Sequence, residues 1–360
     1  MPYFDMTGTL KRKRTRVIHV GNVPIGGGSP IAVQSMTNTD TRDVTSTLRQ
    51  IRQLFRAGCD IVRLAVPDMK AAQALHEIKK RVHGPLIADI HFDHRLALAS
   101  LQAGADGLRI NPGNIGGPRA VEKVIMEAKA RQVPIRIGVN AGSLPKKILS
   151  KYGHPTPEAM VESAWEHIER FEKLGFQDMK ISLKSSNVLD TIAAYEQLSE
   201  KVDYPLHLGV TEAGTLIAGT VKNAIGIGIL LYKGIGDTLR VSLSRNPVEE
   251  VKAAYEILRA LDLRHRGPEI IACPTCGRCE IDLFKVVRQV ERALSGMEAS
   301  PKVAIMGCAV NGPGEAKEAD IGIAGGRGQG VLFKKGRLFR KIPEKDLASV
   351  LIEEVRKMTN

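Results

Sequence analysis

PIRIGVN (residues 134–140) and DMKISLK (residues 178–184) are short apolar runs, each carrying a basic residue in its middle. Between them, residues 157–174 follow a helical period and end at Leu174–Gly175, where glycine suits a helix C-terminus. The same unit recurs on both sides. Upstream lie IAVQSM (31–36), IVRLAV (61–66), PLIADI (85–90) and GLRI (107–110); downstream lie PLHLGV (205–210) and TLRVSL (238–243). Helical patterns over 46–57, 70–81, 95–103, 118–130, 188–201 and 213–233 separate them. Eight alternating strand–helix units over about 250 residues predict a closed α/β barrel of the (β/α)8, or TIM, type. An open doubly wound sheet is the alternative that eight units disfavour. Residues 1–30, with the turn-rich GNVPIGGGSP, read as a hairpin ahead of the barrel.

The pattern changes at LRHRGP (263–268). We place the barrel at residues 1–263 and a small α/β domain at 264–360, holding a helix over 281–294, short strands near 302–306, 320–324 and 330–333, and a last helix over 344–358. The chain is 360 residues long, 43% hydrophobic and 25% charged, which excludes a disordered or fibrous protein. No apolar run is long enough to span a bilayer, and the basic run at 11–16 precedes no secretory h-region, so the expected compartment is the cytoplasm, with no membrane partner. A net charge of +13 points to an anionic partner, while only 4% aromatic residues argue against a base-stacking nucleic-acid surface.

In such a barrel, polar residues late in a strand face the catalytic mouth. Here they are Arg63; Asp89 and His91; Arg109 and Asn111; Arg136 and Asn140; Lys180, Ser182 and Lys184; His207, Thr211 and Glu212; Arg240, Ser242 and Ser244. Arg109, Arg136, Lys180 and Arg240 sit inside apolar runs, where an unpaired cation is costly. Pairing with Asp89, Asp178 or Glu212 is one account of them; a bound diphosphate is the other, and it suits a ring shared by six strands. Glu212, an acid in a basic mouth, either protonates a leaving oxygen or settles an arginine. No phosphate-cradling nucleotide loop is present.

Four of the five cysteines fall in CPTCGRC (273–279) and at Cys308. Two thiolates on one turn and a third from a distant loop form a metal site, with iron–sulfur favoured over zinc. Cys279 or Glu315 could complete it. Cys59 reads as a buried hydrophobe.

CPTCGR (273–278), GCAVNGPGEA (307–316), DIHFD (89–93), LRINPGN (108–114), IGVNAGSL (137–144), LGVTEAG (208–214) and GDTLRVSLS (236–244) together resemble the family of bacterial 4-hydroxy-3-methylbut-2-enyl diphosphate synthases, which serve the methylerythritol phosphate route to isoprenoids. The resemblance runs over essentially the whole chain. It implies a TIM barrel joined to a [4Fe–4S] domain, with the cluster held by Cys273, Cys276, Cys308 and Glu315. Cys279 is additional to the family pattern. It also implies reductive opening of a cyclic diphosphate substrate, 2-C-methyl-D-erythritol 2,4-cyclodiphosphate, with loss of water and electrons from flavodoxin or ferredoxin. Arg63, His91, Arg109, Arg136, Asn140 and Lys184 would grip the substrate, together with Thr211, Arg240, Ser242 and Ser244. Glu212 would be the acid near the departing C3 oxygen. The family pairs head to tail as a homodimer, one subunit's cluster domain capping its partner's barrel, which closes and dries the site. Two other readings are a zinc-stabilised nucleic-acid binder and a phosphate-binding aldolase with Lys180 or Lys184 as Schiff-base lysine.

Overall fold

The computed structural model describes residues 10–308 and 318–359. The chain divides into two compact units, Met1–Arg264 and His265–Asn360. Among the described residues, no helix is long and apolar enough to cross a membrane.

The first unit is a barrel of eight parallel strands: β3 (Ala32–Met36), β4 (Ile61–Ala65), β5 (Leu86–Asp89), β6 (Gly107–Ile110), β7 (Ile135–Asn140), β8 (Met179–Lys184), β9 (His207–Leu208) and β10 (Thr238–Leu239). They run in the order β8-β7-β6-β5-β4-β3-β10-β9, and a parallel bridge from Ile181 to Leu206 brings the two ends together. Helices α1 (Val44–Arg56), α2 (Met69–Lys79), α3 (His94–Gln102) and α4 (Pro118–Ala130) follow the first four barrel strands. After β7 come α5 (Lys146–Tyr152) and α6 (Pro157–Lys173); α7 (Val188–Lys201), α8 (Leu216–Tyr232) and α9 (Pro247–Ala260) complete the outer ring. The starts are set by side chains: Asp43 accepts from Ser46 N, Asp68 from Ala71 N and Asn187 from Leu189 N, which satisfies exposed amides of the first turn. Outward strand residues such as Val62, Leu64, Ile135 and Ile137 meet the apolar faces of these helices in one large core. Beneath the barrel, the hairpin of β1 (Ile18–Val20) and β2 (Val23–Ile25) packs Ile18, Val20 and Ile25 against Ala32, Ile61 and Ile87.

The strands expected over 205–210 and 238–243 are each only two residues long. Side chains take over the backbone groups beyond Leu239. Asn223 accepts from Ser242 N and donates to Ser242 O, Glu250 accepts from Leu243 N at 3.2 Å, and Ser242 Oγ donates to Val210 O at 2.6 Å. The basic helix α5 lies where the sequence reads as a connection.

The second unit is a five-stranded sheet, β11 (Glu269–Ala272), β12 (Lys302–Met306), β13 (Ile321–Gly326), β14 (Gln329–Lys334) and β15 (Arg337–Pro343), in sequential order. The first three strands are parallel and the last two antiparallel. Helix α10 (Leu283–Leu294) and the C-terminal helix Leu347–Thr359 cover one face through Val286, Val290, Leu351 and Val355. β11 and β15 have no counterpart among the strands expected from the sequence.

Candidate functional site

Inward residues of neighbouring strands fall in register. Asp89 lies beside Arg109, Arg109 beside Arg136, and Arg136 beside Lys180, a row of one acid and three bases across four strands. Above this row a cavity of about 270 Å³ is lined by Met36, Arg63, Asp89, His91, Arg109, Arg136, Asn140, Lys184, Val210, Thr211, Arg240 and Ser242. Ser244 stands outside it, its amide donating to Gly214 O at 3.0 Å. Glu212 is exposed and also outside the lining, at the end of the segment that supplies Val210 and Thr211. Its φ of 53° is left-handed, a strained conformation that costs a non-glycine residue roughly 1–3 kcal/mol. Lys180 and His207 do not reach the mouth: they are 1% and 0% exposed, below the lining.

Asp89 is the only carboxylate among the described residues of the lining, and a hub. Its oxygens lie 3.6 Å from Arg63 Nε, 3.2 Å from Arg109 Nη1 and 3.5 Å from His91 Nε2. Burial pushes its pKa up, but Arg63, His91 and Arg109 outweigh burial and hold it well below the usual carboxylate range. Arg240 is paired from behind, with Glu250 on α9 at 3.1 Å. Burial pushes the Arg63 guanidinium down to about 10 against the pull of Asp89. Burial, reinforced by neighbouring arginines, also holds Lys184 well below the ordinary lysine range. Arg136 donates to Ser182 Oγ at 2.8 Å, while its Nε and Nη2 have no partner among the described residues.

Two glycines make room for these long side chains. A Cβ on Gly138 would stand 2.9 Å from Arg109 Nε, and one on Gly209 would stand 2.6 Å from Lys184 Nζ. Both lie in motifs quoted above, yet their purpose is visible only once the strands are assembled.

Replacing Asp89 by asparagine removes the shared counter-charge of Arg63 and Arg109. Breaking a buried pair from one side costs about 3–5 kcal/mol. The expected result is a lower melting temperature for the barrel, read by differential scanning calorimetry. The wild-type contribution is fully present above the unfolded carboxylate range, near 4, and is lost as pH falls below it.

In the second unit, Cys273 directly follows β11, and its amide donates to Ile305 O at 3.1 Å. Cys308 follows β12 by two residues and is 9% exposed; Cys276 is exposed and Cys273 half-buried. Glu280 N donates to Gly307 O at 2.9 Å, which ties the CPTCGRC turn to the Cys308 segment. Thr275, between the first two cysteines, has φ 66°, a true outlier for a β-branched residue. Cys279 Sγ donates to Ile281 O at 3.3 Å and lies 2.6 Å from where a Gly307 Cβ would stand, so it faces its own loop and Gly307. None of the five cysteines is in a disulfide. Burial pushes Cys59, on the barrel, up to about 12, an inert core thiol. Among the described residues, no three His, Cys, Asp or Glu side chains lie close enough together to hold a metal ion. Glu315, the remaining sequence candidate, lies outside the described residues. The donor set nevertheless fits an iron–sulfur group: soft thiolates on the loops after two adjacent parallel strands, gathered at one end of the sheet.

The GcpE TIM-barrel domain matches residues 15–255, and the GcpE protein C-terminal domain matches residues 269–357. Among curated proteins, a 4-hydroxy-3-methylbut-2-en-1-yl diphosphate synthase (flavodoxin) of Geobacter sulfurreducens is 60% identical over 347 residues, covering 96% of this chain and 98% of that one. Its namesakes in Thermodesulfovibrio yellowstonii and Lawsonia intracellularis are 60% and 61% identical, covering 97% and 96% of this chain and 100% and 97% of theirs. Among solved structures, Plasmodium falciparum HPPK-DHPS overlaps 69% of this chain and 51% of its own, with a TM-score of 0.51 and 12% identity, a likeness of fold alone.

Proposed function

The chain belongs to the GcpE family, and we propose from that premise that its barrel mouth binds 2-C-methyl-D-erythritol 2,4-cyclodiphosphate through Arg63, His91, Arg109, Arg136, Asn140, Lys184, Thr211, Arg240 and Ser242. The reaction is that of its close relatives, the formation of 4-hydroxy-3-methylbut-2-enyl diphosphate. The ring is opened and dehydrated by uptake of two electrons and one proton, releasing one water.

One observation carries the substrate assignment. Among the described residues, the cavity lining holds four guanidiniums, Arg63, Arg109, Arg136 and Arg240, and the amine of Lys184, against the carboxylate of Asp89. With Asp89 offsetting one guanidinium and Glu250 neutralising Arg240, two guanidinium charges remain without a counter-charge. A cyclic diphosphate supplies flat, multiply charged oxygen edges that guanidiniums meet in bidentate fashion. Asn140 and Thr211 add neutral donors, and Ser242, whose hydroxyl proton goes to Val210 O, adds an acceptor; together they fix the orientation of the sugar-derived carbons. Ser244 lies outside the lining, and its amide supports the Gly214 turn.

Glu212 would donate a proton to the C3 oxygen as it departs, completing a water molecule. Its position beside Thr211 and its strained backbone support that role, since strain of this kind concentrates at functional residues. Cys273, Cys276, Cys308 and Glu315 would hold a [4Fe–4S] cluster. When bound, that group supplies the two electrons, with flavodoxin as the electron donor that the relatives' names carry. His91 and Phe92 are exposed at the rim, so the mouth needs a cover before electrons arrive. A head-to-tail homodimer, in which the cluster domain of one subunit caps the barrel of its partner, provides one and keeps water out.

Arg136→Met tests the grip. The variant loses a charge-assisted contact worth about 2 kcal/mol, so affinity for the cyclodiphosphate is expected to fall roughly 30-fold in titration calorimetry. Unchanged affinity would remove Arg136 from the substrate site.

A further inference from the structure

Beneath the cavity, Lys180 stands beside Arg136 but outside the lining. It points inward like Ser182 and Lys184, because alternate residues of a strand share a face. Its Nζ has no hydrogen-bond partner among the described residues. Among the described residues, the charged and titratable groups that face it are Arg136 on β7, Arg63 on β4 and His207 on β9, with no carboxylate among them. Among the described residues, His207 Nε2 and Arg136 Nε and Nη2, on groups that face Lys180 or a shared neighbour, also lack hydrogen-bond partners. A fully buried, unpaired amine beneath a ring of guanidiniums destabilises a fold, so a reason for keeping it must lie in the bound state.

We propose that Lys180 takes up a proton from solvent when a diphosphate engages Arg63 and Arg136, so that the barrel floor carries one more positive charge with substrate than without it. The inference rests on the cyclodiphosphate reading of the mouth. The physical basis is a difference between side chains. Arginine does not release its proton in proteins, whereas an ammonium group does when it is buried. Burial first, then Arg136 and Arg63, hold Lys180 well below the ordinary lysine range in the empty barrel. A diphosphate on those two guanidiniums cancels the repulsion, and in a low-dielectric interior that reversal is large. The proton comes from the buffer acid, the only bond formed is N–H, and no electron moves. Lys180 thus acts through Arg63 and Arg136 as a positioning residue for the diphosphate. Lys184 and His207 are the other groups able to take a proton, and substitution separates them from Lys180.

The test is calorimetric titration of the oxidised, iron–sulfur-replete protein with 2-C-methyl-D-erythritol 2,4-cyclodiphosphate, without electron donor and near about pH 8, well below the free lysine value. Repeating it in buffers of different ionisation enthalpy counts the protons taken up. The wild type is expected to take up protons on binding, and K180M about one fewer, with affinity weakened roughly 10-fold. K180M should also melt above the wild type when ligand-free. That gap should close as pH rises toward the lysine range, because there the unfolded wild type no longer binds the extra proton. K180R keeps a fixed charge, so it should bind the ligand with the same loss of uptake, and it serves if K180M does not fold. Uptake equal in wild type and both variants, or no uptake by the wild type, overturns the proposal. A wild type that does not bind the cyclodiphosphate at all defeats the underlying substrate reading instead.

Discussion

Cys308→Ser is expected to purify without its cluster and without activity. A [4Fe–4S] centre corresponds to about four irons and four sulfides per chain, and the variant should retain close to none. Serine is a poor replacement because its hydroxyl is not ionised at neutral pH and is a hard donor where iron–sulfur chemistry needs thiolate. The loss should not reflect misfolding of the domain, whose sheet and helices bury Val290, Val303, Ile321 and Leu351 in a core to which Cys308 does not belong. Circular dichroism of the variant should therefore match the wild type. Cys279 is the one nearby thiol that could substitute for Cys308. Its sulfur faces Ile281 O and the backbone at Gly307, so it should not rescue Cys308→Ser, and Cys279→Ser should keep full iron. Full iron in Cys308→Ser would make Cys279 a ligand.

Glu212→Gln is expected to lower kcat by roughly 10²–10⁴-fold, the usual worth of a positioned general acid, with little change in cyclodiphosphate affinity. Glutamine preserves shape and hydrogen bonding but has no proton to deliver to a departing oxygen. The exposed position of Glu212, clear of the cation ring, predicts that Kd and iron content stay put. A parallel fall in kcat and affinity would instead make Glu212 part of the substrate grip.

Much of this site was legible in the sequence because a strand's alternation fixes which residues point inward. Arg109, Arg136, Lys180 and Arg240 could be assigned to the barrel interior from cations inside apolar runs, and Arg63 and Lys184 from polar positions late in their strands. Depth along the barrel axis could not be read. It follows from strand stagger, which only assembly sets, and it separates Lys184 in the lining from Lys180 and His207 beneath it. The counter-charge of Arg240 was equally hidden. Glu250 reads as an ordinary acid in the first turn of a helix, and only the packing of α9 against β3 brings it to the guanidinium. Asp89 was visible as a possible partner, but its role as the hub of Arg63, Arg109 and His91 required the registers of β4, β5 and β6. In the second unit the cysteine spacing singled out Cys273, Cys276 and Cys308 as candidate metal ligands, whereas β15, mostly exposed and rich in Arg and Lys, lacks the apolar alternation that marks a strand.

The most direct test of the central claim is a single-turnover experiment. Iron–sulfur-replete protein, reduced anaerobically, is mixed with 2-C-methyl-D-erythritol 2,4-cyclodiphosphate and the products are identified by mass spectrometry. The account predicts 4-hydroxy-3-methylbut-2-enyl diphosphate, formed with two electrons consumed per molecule. Unaltered cyclodiphosphate beside a fully reduced, fully loaded protein would contradict it.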